Sequence, residues 1–167
     1  DINFSMTALL GITLKAEKGV AFDSPDHIMP WGTRTDNSTN QRFNNKMYHL
    51  FPNRREPIRV LDLGCSGGGF VKNCLNDGCL AVGLEGSDYS KKMRRAEWAT
   101  IPDCLFTCDI TKPFEILEDG KLMQFDVVTA WEVMEHIKTD DLPTLISNVK
   151  KHLKPFGLWV MSISPNE

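Results

Sequence analysis

The feature that most constrains the fold is an alternation, from residue 58 onward, of short apolar runs with helical patterns. Such an alternation is typical of βαβ units, in which crossover helices join parallel strands. The runs are apolar at nearly every position, as expected for strands covered on both faces. The pattern therefore predicts an α/β fold with a doubly wound, mostly parallel sheet. The predicted strands are Ile58–Leu63, Leu80–Leu84, Cys104–Cys108, Phe125–Ala130 and Leu158–Ile163.

Helical patterns lie between and before these strands. The clearest is Asp140–Lys154, which has a continuous apolar stripe, a proline in its first turn and lysines in its last. Asp88–Ala99 begins with an acidic N-cap, and Val71–Leu75 forms a shorter stripe that ends before a glycine. Apolar side chains on one face also predict a helix from about Ser38 to Phe51, which should dock on the sheet.

The 167 residues favour a single domain. Residues 58–167 should form its core, and residues 1–57 should add a polar segment and the docking helix to the same domain. Polar side chains between Asp26 and Arg42 suit hydrogen bonding to a polar acceptor or closure over a cofactor. The other interpretation of this segment is a partly disordered leader.

Charge and hydropathy exclude several classes of partner. The net charge is -3, and the one basic run, Lys91, Lys92, Arg94 and Arg95, is typical of a solvated helix face. A nucleic-acid partner is therefore disfavoured. No apolar stretch has the length of a membrane span, which argues against a membrane partner. The expected location is the cytoplasm.

The five cysteines form no C-x-x-C pair of the kind used by zinc sites and redox motifs. Their odd number and irregular spacing indicate a reducing, intracellular compartment. We expect them to be buried core residues.

A buried strand runs into a glycine-rich turn and then a helix between Val60 and Phe70. Such a turn presents backbone N–H groups to an anionic ligand group. Glu85 follows Gly64 by 21 positions, where an acidic residue can accept both ribose hydroxyls of an adenosine ligand. A dinucleotide fingerprint would need glycine where Ser66 stands, and Asp62 suits a ligand with an ammonium group better than a pyrophosphate. Nicotinamide and flavin binding are therefore disfavoured.

The motif Asp62-Leu63-Gly64-Cys65-Ser66-Gly67-Gly68 resembles the first motif of class I S-adenosylmethionine-dependent methyltransferases, and the resemblance extends over residues 58–163. It implies a Rossmann-like fold of the methyltransferase type with S-adenosylmethionine as cofactor. The glycine loop would hold the methionine part, the acid after the second strand the ribose, and the acid after the third strand the adenine amine. The implied cofactor-binding residues are Asp62, Gly64, Cys65, Ser66, Gly68, Glu85, Gly86, Asp109, Ile110 and Trp131.

A further motif, Phe125 to Ile137, resembles the fourth strand and following helix of that family. Trp131 and Glu132 should then border the transferred methyl group. On a helix, Glu132, Glu135 and His136 would share one face, as a general base, as ligands of a divalent metal, or as ordinary first-turn residues. The Glu-x-x-Glu-His pattern is similar to that of quinone-biosynthesis O-methyltransferases and small-RNA 3′-terminal 2′-O-methyltransferases, where it is associated with a divalent metal.

These observations predict an enzyme that methylates an oxygen or nitrogen of a small polar metabolite. The alternatives are a truncated S-adenosylmethionine-binding module without independent catalysis, a 3′-terminal RNA 2′-O-methyltransferase and, least favoured, an NAD-dependent oxidoreductase. The family's sheet ends in a strand hairpin, and because four residues follow Ile163 in this sequence, we expect the hairpin to be missing. We therefore expect Ser5–Lys15, or a second chain in a homodimer, to cover the edge of the last strand.

Overall fold

The computed structural model describes residues 11–29, 31–52 and 54–163. Six α-helices lie in this part of the chain: α1 (Pro25–Ile28), α2 (Trp31–Thr35), α3 (Gln41–Leu50), α4 (Gly69–Asn76), α5 (Tyr89–Lys92) and α6 (Leu142–His152). The eight strands are β1 (Ile12–Ala16), β2 (Arg59–Leu63), β3 (Leu80–Glu85), β4 (Leu105–Thr107), β5 (Phe114–Glu118), β6 (Lys121–Leu122), β7 (Phe125–Trp131) and β8 (Leu153–Ser162). None of the helices in these residues is long and apolar enough to cross a membrane.

Five strands form a parallel sheet in the order β4-β3-β2-β7-β8. The chain runs outward from β2 to β4 and then continues on the other side of β2 with β7 and β8. The order of the strands therefore reverses between β2 and β7, which is where ligands bind in open sheets of this type. The predicted doubly wound, mostly parallel sheet is confirmed.

Two apolar clusters cover the two faces of this sheet. Leu61 and Leu63 of β2 belong to one cluster, which also contains Leu145 of α6, whereas Val60 belongs to the other, with Val71 of α4. Successive side chains of a strand point to opposite faces, so β2 is covered on both sides. The cysteines are free and buried, as expected.

A second sheet, in the order β1-β5-β6, is antiparallel and was not predicted. Residues Ile12–Ala16 pair with Phe114–Glu118, so the prediction that the amino-terminal segment covers the last strand of the large sheet is wrong. That segment instead packs Ile12, Leu14 and Ala16 against the apolar core. On β8, Leu158 and Met161 are exposed among the described residues. Coverage by a second chain remains a prediction, and Ser5–Leu10 lie outside the described residues.

Two predicted helices are shorter or absent. The helix expected over Asp88–Ala99 ends at Lys92, because Arg94 and Ala96 both have a φ of 48°, which a right-handed helix excludes. The helix expected after β7 is replaced by a short 3₁₀ turn at Met134–His136. Glu132 has a φ of 51° and its backbone N–H donates to Ser162 of β8, which holds the residue outside any helix.

The buried end of α6 fixes the loop that follows β4. The side-chain amide of Asn148 donates to the carbonyl oxygens of Ile110 and Lys112, at 2.9 Å each. His152 donates from Nδ1 to the Asn148 carbonyl and accepts from the Ile116 N–H at Nε2. Burial lowers the pKa of His152, so this imidazole is neutral and structural. The loop after β4 therefore has a defined position at the edge of the ligand site.

Candidate functional site

A cavity of about 320 Å³ lies at the carboxyl ends of the parallel strands, beside the reversal between β2 and β7. Its size is within the range of sites that bind small molecules and cofactors. The strand ends contribute one wall, residues before α3 contribute a second, and the turn after β7 contributes a third. Seven of the predicted cofactor-binding residues line it: Gly64, Ser66, Glu85, Gly86, Asp109, Ile110 and Trp131.

Glu85 ends β3 and is 5% exposed. One carboxylate oxygen accepts the N–H of Ser66 at 3.0 Å, and the other accepts the N–H of Ser87 at 2.8 Å. These bonds fix the orientation of the carboxylate and leave each oxygen with further capacity to accept. Burial raises the pKa of Glu85, because the charged carboxylate loses its hydration inside the protein. A ligand that donates two hydrogen bonds would satisfy it.

Asp109 follows β4 and is held in a similar way. Its Oδ1 accepts the N–H of Thr111 at 2.9 Å and the hydroxyl of the same residue at 2.6 Å. Its Oδ2 lies 3.9 Å from Nζ of Lys18. The next residue, Ile110, is anchored by Asn148, so the position of this part of the cavity wall is set by α6.

Three of the predicted cofactor-binding residues, Asp62, Cys65 and Gly68, do not contribute to the cavity wall. Asp62 lies in β2, where its Oδ1 accepts the hydroxyl of Thr129 in β7 at 2.8 Å. Burial, together with the nearby charge of Glu85, raises the pKa of Asp62 to about 8. Asp62 is therefore held within the sheet by Thr129, and below this pKa its carboxyl group carries a proton.

The glycine loop also serves a contact that the sequence did not reveal. A Cβ at position 67 would lie 2.9 Å from the carbonyl oxygen of Asp36, and one at position 69 would lie 2.5 Å from that of Asn37. These two glycines therefore let the amino-terminal segment approach the loop. Gly64, by contrast, has a φ of 72° and lies on the cavity wall. A Cβ there would be 2.4 Å from a methyl group of Val133.

The described residues of the segment 17–37, named the cover below, cross the carboxyl ends of β3 and β4. The N–H of Ala21 donates to the Gly86 carbonyl at 2.8 Å, and the N–H of Asp109 donates to the Lys18 carbonyl at 2.9 Å. The cover places Asp23, Asp26, Thr33 and Asp36 on the cavity wall. Of the two interpretations of this polar segment, closure over a ligand site fits these contacts.

The turn after β7 forms another part of the cavity wall. Glu132 and His136 line the cavity, whereas Glu135 does not, and its carboxylate lies 3.9 Å from Nε2 of His136. The prediction that these three side chains share a helix face is wrong, because the chain makes a 3₁₀ turn here. No three His, Cys, Asp or Glu side chains in the described part of the chain are grouped so that they could hold a metal ion. The metal hypothesis thus gains no support from this geometry.

Arg95 does not lie on the solvated helix face predicted for the basic run. Lys91, Lys92 and Arg94 are exposed, but Arg95 points inward and donates to Ser66, Ser90 and the Asp36 carbonyl. No local pattern signals this role, because its partner Asp36 lies 59 positions earlier in the chain.

Residues 37–167 match the family model described as "Methyltransferase domain", so the chain belongs to that family. A ubiquinone biosynthesis O-methyltransferase of Psychrobacter arcticus is 33% identical over 106 residues, which are 62% of this chain and 40% of that protein. The matched part of the chain thus spans less than half of this relative.

Solved structures show the same fold. An amino pentose methyltransferase from Micromonospora echinaspora with bound S-adenosylmethionine has a TM-score of 0.56 at 19% identity, over 81% of this chain and 54% of that one. A glycopeptide N-methyltransferase complexed with sinefungin has a TM-score of 0.51 at 19% identity, over 74% of this chain and 54% of that one. At these identities the likeness concerns the fold alone.

Proposed function

We propose that this chain binds S-adenosylmethionine in the cavity and serves a methyl transfer to an oxygen or nitrogen of a small polar metabolite. The observation that carries the proposal is the Glu85 carboxylate, which is buried on the cavity wall and oriented by two backbone N–H groups. Two adjacent hydroxyls of a ribose match its remaining acceptor capacity. Family membership over residues 37–167 supports the same ligand class.

The rest of the cavity fits this cofactor. The fixed carboxylate of Asp109 and the loop at Ile110 would receive the adenine, and the loop at Gly64 and Ser66 would receive the methionine part. Among the described residues, the wall contains seven carboxylates, including Asp26, Asp36 and Glu132, and one lysine, Lys138. Such a wall favours a ligand with positive charge and opposes the pyrophosphate of a dinucleotide.

When bound, S-adenosylmethionine supplies an electrophilic methyl group on a positively charged sulfur. The chain's own residues must then hold the acceptor, exclude water and take up a proton. Glu132 and His136 line the cavity and are the candidate bases. The names of the relatives include both an O-methyltransferase and an N-methyltransferase, which is compatible with either acceptor atom.

Calorimetric titration tests the cofactor assignment. The wild-type chain should bind S-adenosylhomocysteine and should not bind NAD. E85Q keeps the shape of the side chain and should weaken binding. E115Q is the matched control, because Glu115 is a partly exposed glutamate of β5 that does not line the cavity. Absence of S-adenosylhomocysteine binding by the wild-type chain would refute the assignment.

Methyl transfer is tested with sets of small acceptors. The members of a set share one carbon skeleton and differ in the acceptor group, which is an amine, a hydroxyl or a phenol. In an active reaction, E132Q and H136Q should lower kcat far more than they weaken cofactor binding, because a base acts on the acceptor. Equal losses of rate and of cofactor affinity would indicate that these residues bind the cofactor and do not act on the acceptor. Cofactor binding without turnover across the panel would favour the alternative of a binding module.

A further inference from the structure

Ser66 keeps a side chain at a backbone position that favours glycine. Its φ is 47°, in the left-handed region where a Cβ is costly. The hydroxyl nevertheless has partners on two other segments: it lies 3.1 Å from the Asp36 carbonyl and accepts a hydrogen bond from Nη2 of Arg95 at 3.0 Å. The serine side chain is thus held by contacts with the cover and with the segment after α5.

Arg95 completes a triangle of hydrogen bonds. Its Nη2 donates to the Asp36 carbonyl at 2.6 Å as well as to Ser66, and its Nε donates to the buried hydroxyl of Ser90 at 3.1 Å. One guanidinium therefore joins the cover, the glycine loop and α5. Charge-assisted bonds of this kind are stronger than bonds between neutral groups.

The segment that carries Arg95 is itself fixed to the glycine loop. The indole N–H of Trp98 donates to the Ser66 carbonyl at 2.8 Å, and the N–H of Glu97 donates to the Gly67 carbonyl at 2.8 Å. Asp36 and Thr33, on the other side, precede the residues matched by the family model, which begin at 37. The triangle therefore joins a segment outside the family match to the loop within it.

We propose that Ser66 and Arg95 are positioning residues that latch the cover onto the glycine loop and set the rate at which the cofactor leaves the cavity. The part that concerns the cofactor rests on the proposed function. Asp36 and Thr33 line the cavity, so a cover released from the loop opens one wall. Arg95 does not line the cavity, so its effect on a ligand must pass through the cover.

The variants are S66G, R95Q, R95K and the double variant S66G/R95Q. Glycine suits the backbone at position 66, so S66G removes the hydroxyl without strain. K92Q is the matched control, because it removes one positive charge from α5, where Lys92 pairs with Asp88. Two measurements are made: hydrogen exchange of residues 33–37 in the ligand-free protein, and the dissociation rate of S-adenosylhomocysteine by stopped flow.

S66G and R95Q should each speed exchange of residues 33–37 and raise the dissociation rate about fivefold to tenfold, the effect of losing one or two hydrogen bonds. R95K should recover part of the loss. The double variant should be no faster than the faster single variant, because both remove the same latch. K92Q should behave as wild type.

Unchanged exchange of residues 33–37 in both single variants would overturn the latch whether or not a cofactor binds. Faster exchange with an unchanged dissociation rate in R95Q would overturn its role in cofactor retention. If S-adenosylhomocysteine fails to bind any variant, including wild type, the proposed function fails, and the exchange measurement still decides the latch.

Discussion

Buried carboxylates at the two ends of the parallel sheet differ in their hydrogen-bond and ion-pair partners. At the amino end, Asp126 accepts hydrogen bonds from both terminal nitrogens of Arg54, at 3.0 and 3.1 Å. Its carboxylate also lies 3.4 Å from Nζ of Lys154. At the carboxyl end, Asp62 and Glu85 are equally buried, yet their donors are a threonine hydroxyl and backbone N–H groups. Among the described residues, no Lys, Arg or His side chain forms an ion pair with either of them.

The difference separates a structural site from a ligand site. The charge at the amino end is balanced within the chain, which joins the segment before β2 to the start of β7 and the start of β8. The carboxyl groups at the carboxyl end form no ion pair among the described residues, and burial raises the pKa of Asp62 to about 8 and that of Glu85 above its ordinary value. A cationic ligand would supply the missing charge, so these carboxylates cost stability in the free protein and favour binding.

The largest effect is expected at the amino end. Asp126→Ala leaves Arg54 and Lys154 partly buried without a counter-charge and should lower the free energy of unfolding by about 3 kcal/mol. D140N, at an exposed aspartate, is the control. Denaturant titration of both variants measures the effect. A loss below about 1 kcal/mol would show that the ion pairs of Asp126 stabilise the fold no more than exposed surface pairs do.

At the carboxyl end, E85Q should weaken binding of S-adenosylhomocysteine by about 1.5 to 3 kcal/mol, the range for hydrogen bonds to a charged group. Its free energy of unfolding should stay equal to that of wild type or rise, because a buried charge is removed. Calorimetry and denaturant titration on the same samples test both parts. A variant that loses stability and affinity together would make Glu85 structural, like Asp126.

Because of Asp62, the stability of the chain should depend on pH. Its pKa of about 8 in the folded chain exceeds its ordinary value of 3.8, so the folded state holds a proton that the unfolded state has lost. Stability should therefore fall as pH rises from 6.5 to 8, by up to about 1.4 kcal/mol per pH unit. The lowered pKa of His152 acts below its ordinary value of 6.5, outside this window. Stability that rises between pH 6.5 and 8 would contradict the assignment.

The smallest effect is expected for D62N, which keeps the acceptor for Thr129 and removes the charge. Relative to wild type, its free energy of unfolding should rise by up to about 1.4 kcal/mol for each pH unit between 6.5 and 8, which flattens the pH dependence. At pH 6.5 it should match wild type more closely. A variant with the wild-type pH slope would show that another group titrates.

The strands of the large sheet could be predicted from sequence because burial on both faces leaves nearly continuous apolar runs, as in Leu80–Glu85. The second sheet could not, since β1 finds its partner β5 about one hundred residues later, and no local signal states that pairing. The prediction of a helix after β7 was wrong for a related reason. The N–H of Glu132 bonds to Ser162, a contact that exists only once β8 has paired with β7.

The same division applies to the site. Glu85 and Asp109 were found because acids at strand ends follow from the fold, and the structure places both on the cavity wall. Arg95 and the close contact of Asn37 with Gly69 were missed, because both depend on where the cover lies. Sequence therefore predicted the positions fixed by the strands, and not those fixed by contacts between distant segments.

The most direct test of the central claim is the pH dependence of binding of sinefungin, which carries an amine where S-adenosylmethionine carries its charged sulfur. Calorimetry in two buffers of different ionisation enthalpy would measure the protons exchanged. We expect sinefungin to bind with net proton release and with an affinity that rises by up to about tenfold per unit between pH 6.5 and 8. D62N should bind with less proton release. Binding without proton release and without pH dependence in the wild-type chain, or equal affinity for NAD, would contradict the claim that these carboxylates await a cationic cofactor.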